Sequence, residues 1–159
     1  NYPNVTFKVK SITLNGVSTK GTFTQGSPDE TTGWKWSGWA ETNNLTVFSS
    51  TAGKEVTKTA EPAPADFDTL NSGDYSIVLP QNFDATSTLT IVYDIITSYV
   101  AGTPVTETVK ETKALNGIYT SNWECKKKYV LGITLGLNEI YWDPSVEAWE
   151  DGTVTDIQF

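Results

Sequence analysis

Trp34, Trp36 and Trp39 fall within six residues of one another and are followed by Glu41 and Asn43-Asn44. Aromatic faces suit the C–H-rich side of a pyranose, and nearby carboxylate and amide groups can orient its hydroxyls. The cluster therefore reads as a candidate sugar-stacking platform. The plainer account is that two of these rings close a core and the third covers a loop. That account is favoured, because tryptophan is usually largely buried. A second cluster, Asp143, Glu147, Glu150, Asp151 and Asp156, is acidic. Calcium needs about six to eight converging oxygens on a fixed Asp/Asn spacing with a glycine turn. The spacing here matches no such loop, and a solvated acidic face is the better reading. Glycoside hydrolysis needs two carboxyl groups at a set separation across a cleft, and nothing in the sequence places two of these that way.

The composition narrows the chemistry further. The chain contains no histidine, so neither a Ser-His-Asp nor a Cys-His site can be built, nor a His-ligated zinc. There is no arginine, which removes the commonest bidentate grip on phosphate and carboxylate. A net charge of −8 argues against nucleic acid as a partner, and Lys126-Lys127-Lys128 is too short a run to reverse that. Lysines beside a strand commonly protect an edge. Cys125 is the single cysteine and reads as a surface thiol, not a nucleophile. Asn4-Val5-Thr6 and Asn44-Leu45-Thr46 match the N-glycosylation acceptor pattern, which matters where the host glycosylates such sites. The expectation is a non-enzyme without cofactor or metal.

At 159 residues the chain reads as one domain, 1–159, large enough to bury a core. Gly, Thr, Val and aromatic residues dominate, and long runs of helix formers are scarce, which favours an all-β fold. No apolar run reaches the ~20 residues of a membrane helix, and no signal peptide is visible. The chain starts on a strand-like segment without an initiator Met. It reads as a mature or excised fragment of a secreted or cell-surface protein.

The strongest strand signal is Tyr129 to Leu137, where Tyr129, Leu131, Ile133, Leu135 and Leu137 alternate with smaller or polar residues. It is expected to be the sheet's central strand. Ile140-Tyr141-Trp142 follows, and Asp143-Pro144-Ser145 should then break the ladder, because Pro144 has no N–H to give. Val146 and Trp149, three apart, suit a helical turn or tight loop, with Trp149 as an apolar lid. Residues 4–24 predict a hairpin turning at Asn15-Gly16, with a β-bulge near Lys10-Ser11 that keeps Val9 and Ile12 on one face. Gly21 suggests a close contact. Leu45–Ser49 reads as a short strand, 50–66 as a long loop and Tyr75–Leu79 as a strand ended by Pro80. Thr88–Val100 is a longer strand, with Leu89, Ile91 and Tyr93 on one face and a phase shift at Ile95-Ile96. A turn at 101–104 leads into a half-exposed return strand, 104–115, ended at Asn116-Gly117. Val154–Phe159 could be a last strand. Eight to ten antiparallel strands with long loops pack naturally as a β-sandwich or flattened barrel.

Two motifs at opposite ends carry a family resemblance. Trp123, Lys128-Tyr129, the alternating strand, Asn138-Glu139-Ile140, Pro144-Ser145-Val146 and Trp149 resemble the end of the fimbrillin-like (Mfa-like, FimA-type) surface proteins of Bacteroidetes. Ser11–Val17 followed by Lys20-Gly21-Thr22-Phe23 resembles a segment of the same proteins, while 25–115 carries no assignable motif. The resemblance implies transthyretin-like β-sandwich domains in a two-domain lipoprotein precursor exported to the outer membrane, of which this chain would be mainly the C-terminal domain. Members of that family serve as stalk, anchor or tip subunits of type V pili. Partners would be other pilin-type subunits joined by strand exchange, with a host or bacterial surface glycan or protein as a further ligand. Attachment to the membrane would run through an upstream lipid anchor. A donor-strand role for Val154, Ile157 and Phe159 follows from their terminal position and alternation, since an added strand gains main-chain bonds along an open edge.

Overall fold

The computed structural model describes residues 4–26, 35–57, 69–70, 76–119, 122–125 and 127–136, together with the backbone of 140–148. The fold is antiparallel β throughout. Its strands are β1 (Asn4–Thr24), β2 (Lys35–Val56), β3 (Thr88–Ser98), β4 (Val105–Ala114), β5 (Lys127–Leu135) and β6 (Ile140–Ala148). Four of them form a sheet in the order β2-β1-β3-β4, and β5 and β6 form a second, two-stranded sheet.

The centre of the larger sheet is β1, a single strand of 21 residues. A strand presents alternate residues to one face, yet the buried residues of β1 are Val9, Ile12, Leu14 and Val17. Two extra residues reconcile the spacing. Pairing with both neighbours shifts between Val9 and Ser11, so Lys10 is the bulged residue that the 9-to-12 slip predicts. Pairing with β2 shifts again between Leu14 and Val17, at Asn15-Gly16. The expected hairpin turn is therefore a second bulge. Asn15-Gly16 signals a turn because glycine accepts a positive φ, and Gly16 does have φ 65°, but the chain runs straight on. Asn15 Nδ2 donates to the Oγ1 atoms of Thr88 (3.1 Å) and Thr90 (2.9 Å) on β3. The Gly16 N–H donates to Asn44 Oδ1 on β2, and its carbonyl accepts from Ser87 Oγ. The pair is thus held from both sides.

With those bulges the core face is a set of rows crossing the sheet. Val56, Phe7, Ile95 and Glu107 form one; Lys54, Val9, Tyr93 and Val109 the next; then Phe48, Ile12, Ile91 and Glu111; then Leu45, Leu14, Leu89 and Lys113. Ile91 is completely buried. Ile95 continues the face of Leu89, Ile91 and Tyr93, and pairing runs to Ser98 without a shift, so the expected phase change at Ile95-Ile96 does not occur. On β4 only Val109 packs on the core, and every other residue but the half-buried Ala114 is exposed, as its Thr/charge alternation implies. Burial, reinforced by Glu111 and Glu107 across the strand, pushes the Tyr93 hydroxyl pKa up. The opposite face is polar. Thr13 meets Thr46, Thr90 meets Thr112, and Asp94 accepts from Thr108 and lies 3.5 Å from the Lys10 ammonium.

Several other expectations are corrected. Residues 50–56 belong to β2, which is 22 residues long and absorbs its irregularities as bulges, among them Gly53 at φ 75°. Residues 76–79 form no strand; they lead to Gln81, whose side chain, not its backbone, meets the sheet. The alternating β5 is not central. Tyr129, Leu131, Ile133 and Leu135 do pack against the core, but β5 pairs with β6 alone among the described residues. Pro144 does not break the ladder: β6 continues through it, with Pro144 opposite Leu131 and Val146 opposite Tyr129. An edge strand tolerates proline where its N–H would face away from the neighbour. Six strands are seen among the described residues, fewer than eight to ten, chiefly because expected strand pairs merge into β1 and β2. Trp149 and the proposed last strand lie outside the described residues.

An aromatic group joins the two sheets. The turn Leu115–Gly117 starts with the Leu115 N–H donating to Ser87 O (2.8 Å), and the Trp123 N–H donates to Gln81 O (3.0 Å). Those bonds bring Tyr119 and Trp123 against Phe83 and Tyr129, with Trp123 edge-on to Phe83 at 4.6 Å and tilted on Tyr129 at 5.3 Å. The Tyr129 hydroxyl accepts from the Glu124 N–H and donates to Asn122 O. Burial, then Tyr129, pushes the Tyr119 hydroxyl up to about 12. Among the described residues the buried Trp123 Nε1–H meets no acceptor, a loss worth roughly 1–3 kcal/mol.

Gly16→Ala tests the second bulge. A Cβ there would lie 3.1 Å from Thr86 O in a left-handed conformation, so the variant should lose roughly 1–3 kcal/mol of unfolding free energy in urea titration. A Gly16→Ala midpoint equal to the parent's would remove the bulge from its place in the account.

Candidate functional site

Beyond Asn15 the sheet thins. Pairing of β1 with β3 stops at Asn15–Thr88, while pairing with β2 continues to Thr24–Lys35. Residues 18–24 and 35–42 therefore extend past the core as a two-stranded ribbon. The ribbon holds the two described members of the tryptophan cluster.

Phe23 and Trp36 are register partners, and their rings lie 5.3 Å apart at 46°. Gly21 lets the indole settle on the backbone: a Cβ there would be 3.2 Å from Trp36 Cε3 and 3.7 Å from Leu79. The close contact expected at Gly21 is present. Trp39 is turned outward between two residues of positive φ, Gly38 (59°) and Glu41 (54°). The second is a non-glycine, and a left-handed conformation there costs about 1–2 kcal/mol. Its surroundings offset that cost. The Glu41 carbonyl accepts from Thr19 Oγ1 at 2.7 Å, and its carboxylate takes the Lys20 ammonium at 2.7 Å. Both ends of that ion pair are exposed, so its own contribution is small. The Trp39 Nε1–H donates to Pro80 O at 2.8 Å, which fixes the ring.

Neither Trp36 nor Trp39 closes the core, which corrects the favoured expectation. Trp36 is half-buried, while Phe23 and Trp39 are 43% and 44% exposed. They form an apolar surface on the ribbon, beside Leu79 and Pro80, which meet Gly21 and Trp39. The polar groups expected to orient a sugar already have structural partners. Glu41 holds Lys20, Asn43 Nδ2 donates to Thr19 Oγ1, and Asn44 Oδ1 accepts from Gly16. Trp34, Val154, Ile157 and Phe159 lie outside the described residues, as do Glu150, Asp151 and Asp156 of the acidic run. Among the described residues no group of three or more His, Cys, Asp or Glu is placed to hold a metal ion, and no helix is long and apolar enough to cross a membrane. Cys125 is exposed.

Gln81 is the residue that sequence reasoning missed. It is 4% exposed and sits at the ribbon's margin. Its Oε1 accepts from the Ser18 N–H at 2.7 Å, and its Nε2 donates to Ser18 O at 3.2 Å and to Leu79 O at 3.0 Å. A primary amide has the donor and acceptor of a peptide group, so this side chain makes one rung of a ladder where β3 has departed. The sequence signal is faint: a polar residue directly after Pro80, between apolar runs.

No family model, no curated protein and no solved structure matches the chain.

Gln81→Ala strips both Ser18 groups of their partner. Unfolding in urea should show a loss of roughly 1–3 kcal/mol; an unchanged midpoint would mean that water replaces the amide at no cost.

Proposed function

We propose that this chain is a non-catalytic cell-surface subunit of the type V pilus kind, a fimbrillin-like structural or adhesive protein that assembles by β-strand complementation. The observation that carries the reading is the state of the sheet margins. Among the described residues β2, β4, β5 and β6 each pair on one side only, and β1 loses its second neighbour after Asn15. Natural sheets usually cover or blunt such edges, and an uncovered one is a template for a further strand. The strand supplied in trans would be 154–159, with Val154, Ile157 and Phe159 as its apolar residues. The packing of Tyr129, Leu131, Ile133 and Leu135 on the core of the larger sheet supports a sandwich of transthyretin type. In this reading the subunit is exported to the outer membrane and reaches lipid through an anchor upstream of these residues. Its partners are other pilin-type subunits, not nucleic acid.

Light scattering of the chain with and without residues 154–159 tests this. Association of the full chain should be lost on deletion. A chain that is monomeric in both forms, or associated in both, overturns the reading.

A second reading, a glycan-binding surface module, is favoured by one observation: Trp39 is held outward beside Phe23 and Trp36, at a backbone cost, with its ring orientation fixed. Added polysaccharide should then shift tryptophan fluorescence in the parent and much less in Trp39→Ala. Equal shifts, or none, would exclude this surface as the platform.

A further inference from the structure

The two hydrogen bonds from Gln81 to Ser18 fix the direction of the β1 backbone. The Ser18 N–H and C=O point away from β2, toward the side that β3 has left. Along a strand these groups alternate between the two sides. Those of Lys20, Thr22 and Thr24 therefore point the same way as those of Ser18. The register shift within the ribbon does not disturb this, because the extra residue lies on β2: Lys20 to Thr22 spans two residues on β1, and Ala40 to Ser37 three on β2. Among the described residues no backbone group bonds to β1 on that side beyond Ser18. The result is a short ladder margin, begun by a side-chain amide and then left open.

The faces beside that margin differ. Phe23 lies on one, against Trp36, with Trp39 further along β2. Lys20, Thr22 and Thr24, exposed, lie on the other. A strand docking here needs apolar residues at alternate positions and polar or acidic residues between them. Residues 156–159 of the VTDIQF segment have that pattern, Ile157 and Phe159 alternating with Asp156 and Gln158 while Val154 falls on the other face, and the six residues 154–159 match the length from Thr19 to Thr24.

We infer that the open side of β1 from Lys20 to Thr24 is the acceptor edge, and that its occupant is the 154–159 segment of another copy of this chain. This inference rests on the strand-complementation reading and adds the site at which it acts. Gln81 imitates the first peptide group of the incoming strand, so the guest begins where the side chain ends. The exposed rings of Phe23 and Trp39 become its apolar floor.

Amide hydrogen exchange on the full chain, with the synthetic peptide Val-Thr-Asp-Ile-Gln-Phe as probe, tests the assignment. In the dilute free chain the amides of Lys20, Thr22 and Thr24 should exchange at least roughly tenfold faster than those of Val17 and Phe23, which face β2. Saturating peptide should slow the first set by a similar factor. Thr22→Pro removes an N–H that points away from β2, a position where an edge strand accepts proline. It should keep the circular dichroism of the parent and weaken peptide binding roughly tenfold or more. Should that variant fail to fold, the exchange pattern of the parent decides alone. Protection appearing on β2, β4, β5 or β6 instead, or peptide binding unchanged in folded Thr22→Pro, overturns this acceptor edge and leaves complementation standing. Absence of any protection also overturns it; when deletion of 154–159 leaves association unchanged as well, complementation falls with it.

Discussion

Everything in the larger sheet depends on β1 keeping one face buried for most of its length. A regular strand would do so by strict alternation, but a strand this long, flanked on both sides, must also follow the twist of its neighbours. The extra residues at Lys10 and at Asn15-Gly16 meet that constraint. Each resets the phase, so Val9, Ile12, Leu14 and Val17 all face inward, the first three aligned with Tyr93, Ile91 and Leu89 on β3. Asn15 and Gly16 also tie β2, β1 and the start of β3 together through their polar groups. The bulge is thus both the last point where β1 has two neighbours and the point from which the ribbon departs. Asp84 secures the other side of this junction. Its carboxylate accepts from the Thr86 hydroxyl and from the Thr86 and Ser87 N–H groups, which holds its pKa below the usual range and fixes the turn into β3.

The parts of this fold legible in the sequence are those set by local periodicity. The slip between Val9 and Ile12 announces a bulge because nothing else keeps both residues on one face. The buried faces of β3 and β5 are equally plain. Neighbour relations are less so. Period-2 alternation in β5 shows that one face is covered but carries no record of how many strands flank it, and a strand at the margin of a small sheet looks the same as a central one. Asn15-Gly16 shows a different limit. A two-residue turn and a bulge both need a residue at positive φ, so the same dipeptide serves either. The choice is made by distant groups, Thr88, Thr90, Ser87 and Asn44, that bond across it. Pro144 was misleading for a related reason: proline forbids one hydrogen bond, and whether that bond is needed depends on which side of the strand lacks a neighbour.

The candidate site was legible as composition and not as position. Three tryptophans close together mark a surface or a core without deciding between them. Gly38 and Gly21 make the decision, one by turning Trp39 outward and the other by giving Trp36 a flat bed. The peptide-like pairing of Gln81 could not be read at all, since it exists only because β3 diverges from β1 three residues before Ser18.

The open ladder and the exposed rings also depend on one another energetically. Three outward-facing residues offer hydrogen bonds whose net contribution is about 0.5–1.5 kcal/mol each, because water satisfies them in the free chain. Ordering and immobilising a guest strand costs on the order of 4–15 kcal/mol. Main-chain pairing alone therefore leaves such an edge empty. Covering roughly 300 Å² of apolar surface adds about 7 kcal/mol, and Phe23 and Trp39 are the side chains placed to supply it. In the proposed docking, backbone direction would select a β-strand as guest, and the aromatic floor one with apolar residues at alternate positions. Either feature without the other would give an edge that binds nothing or an apolar patch that binds without register.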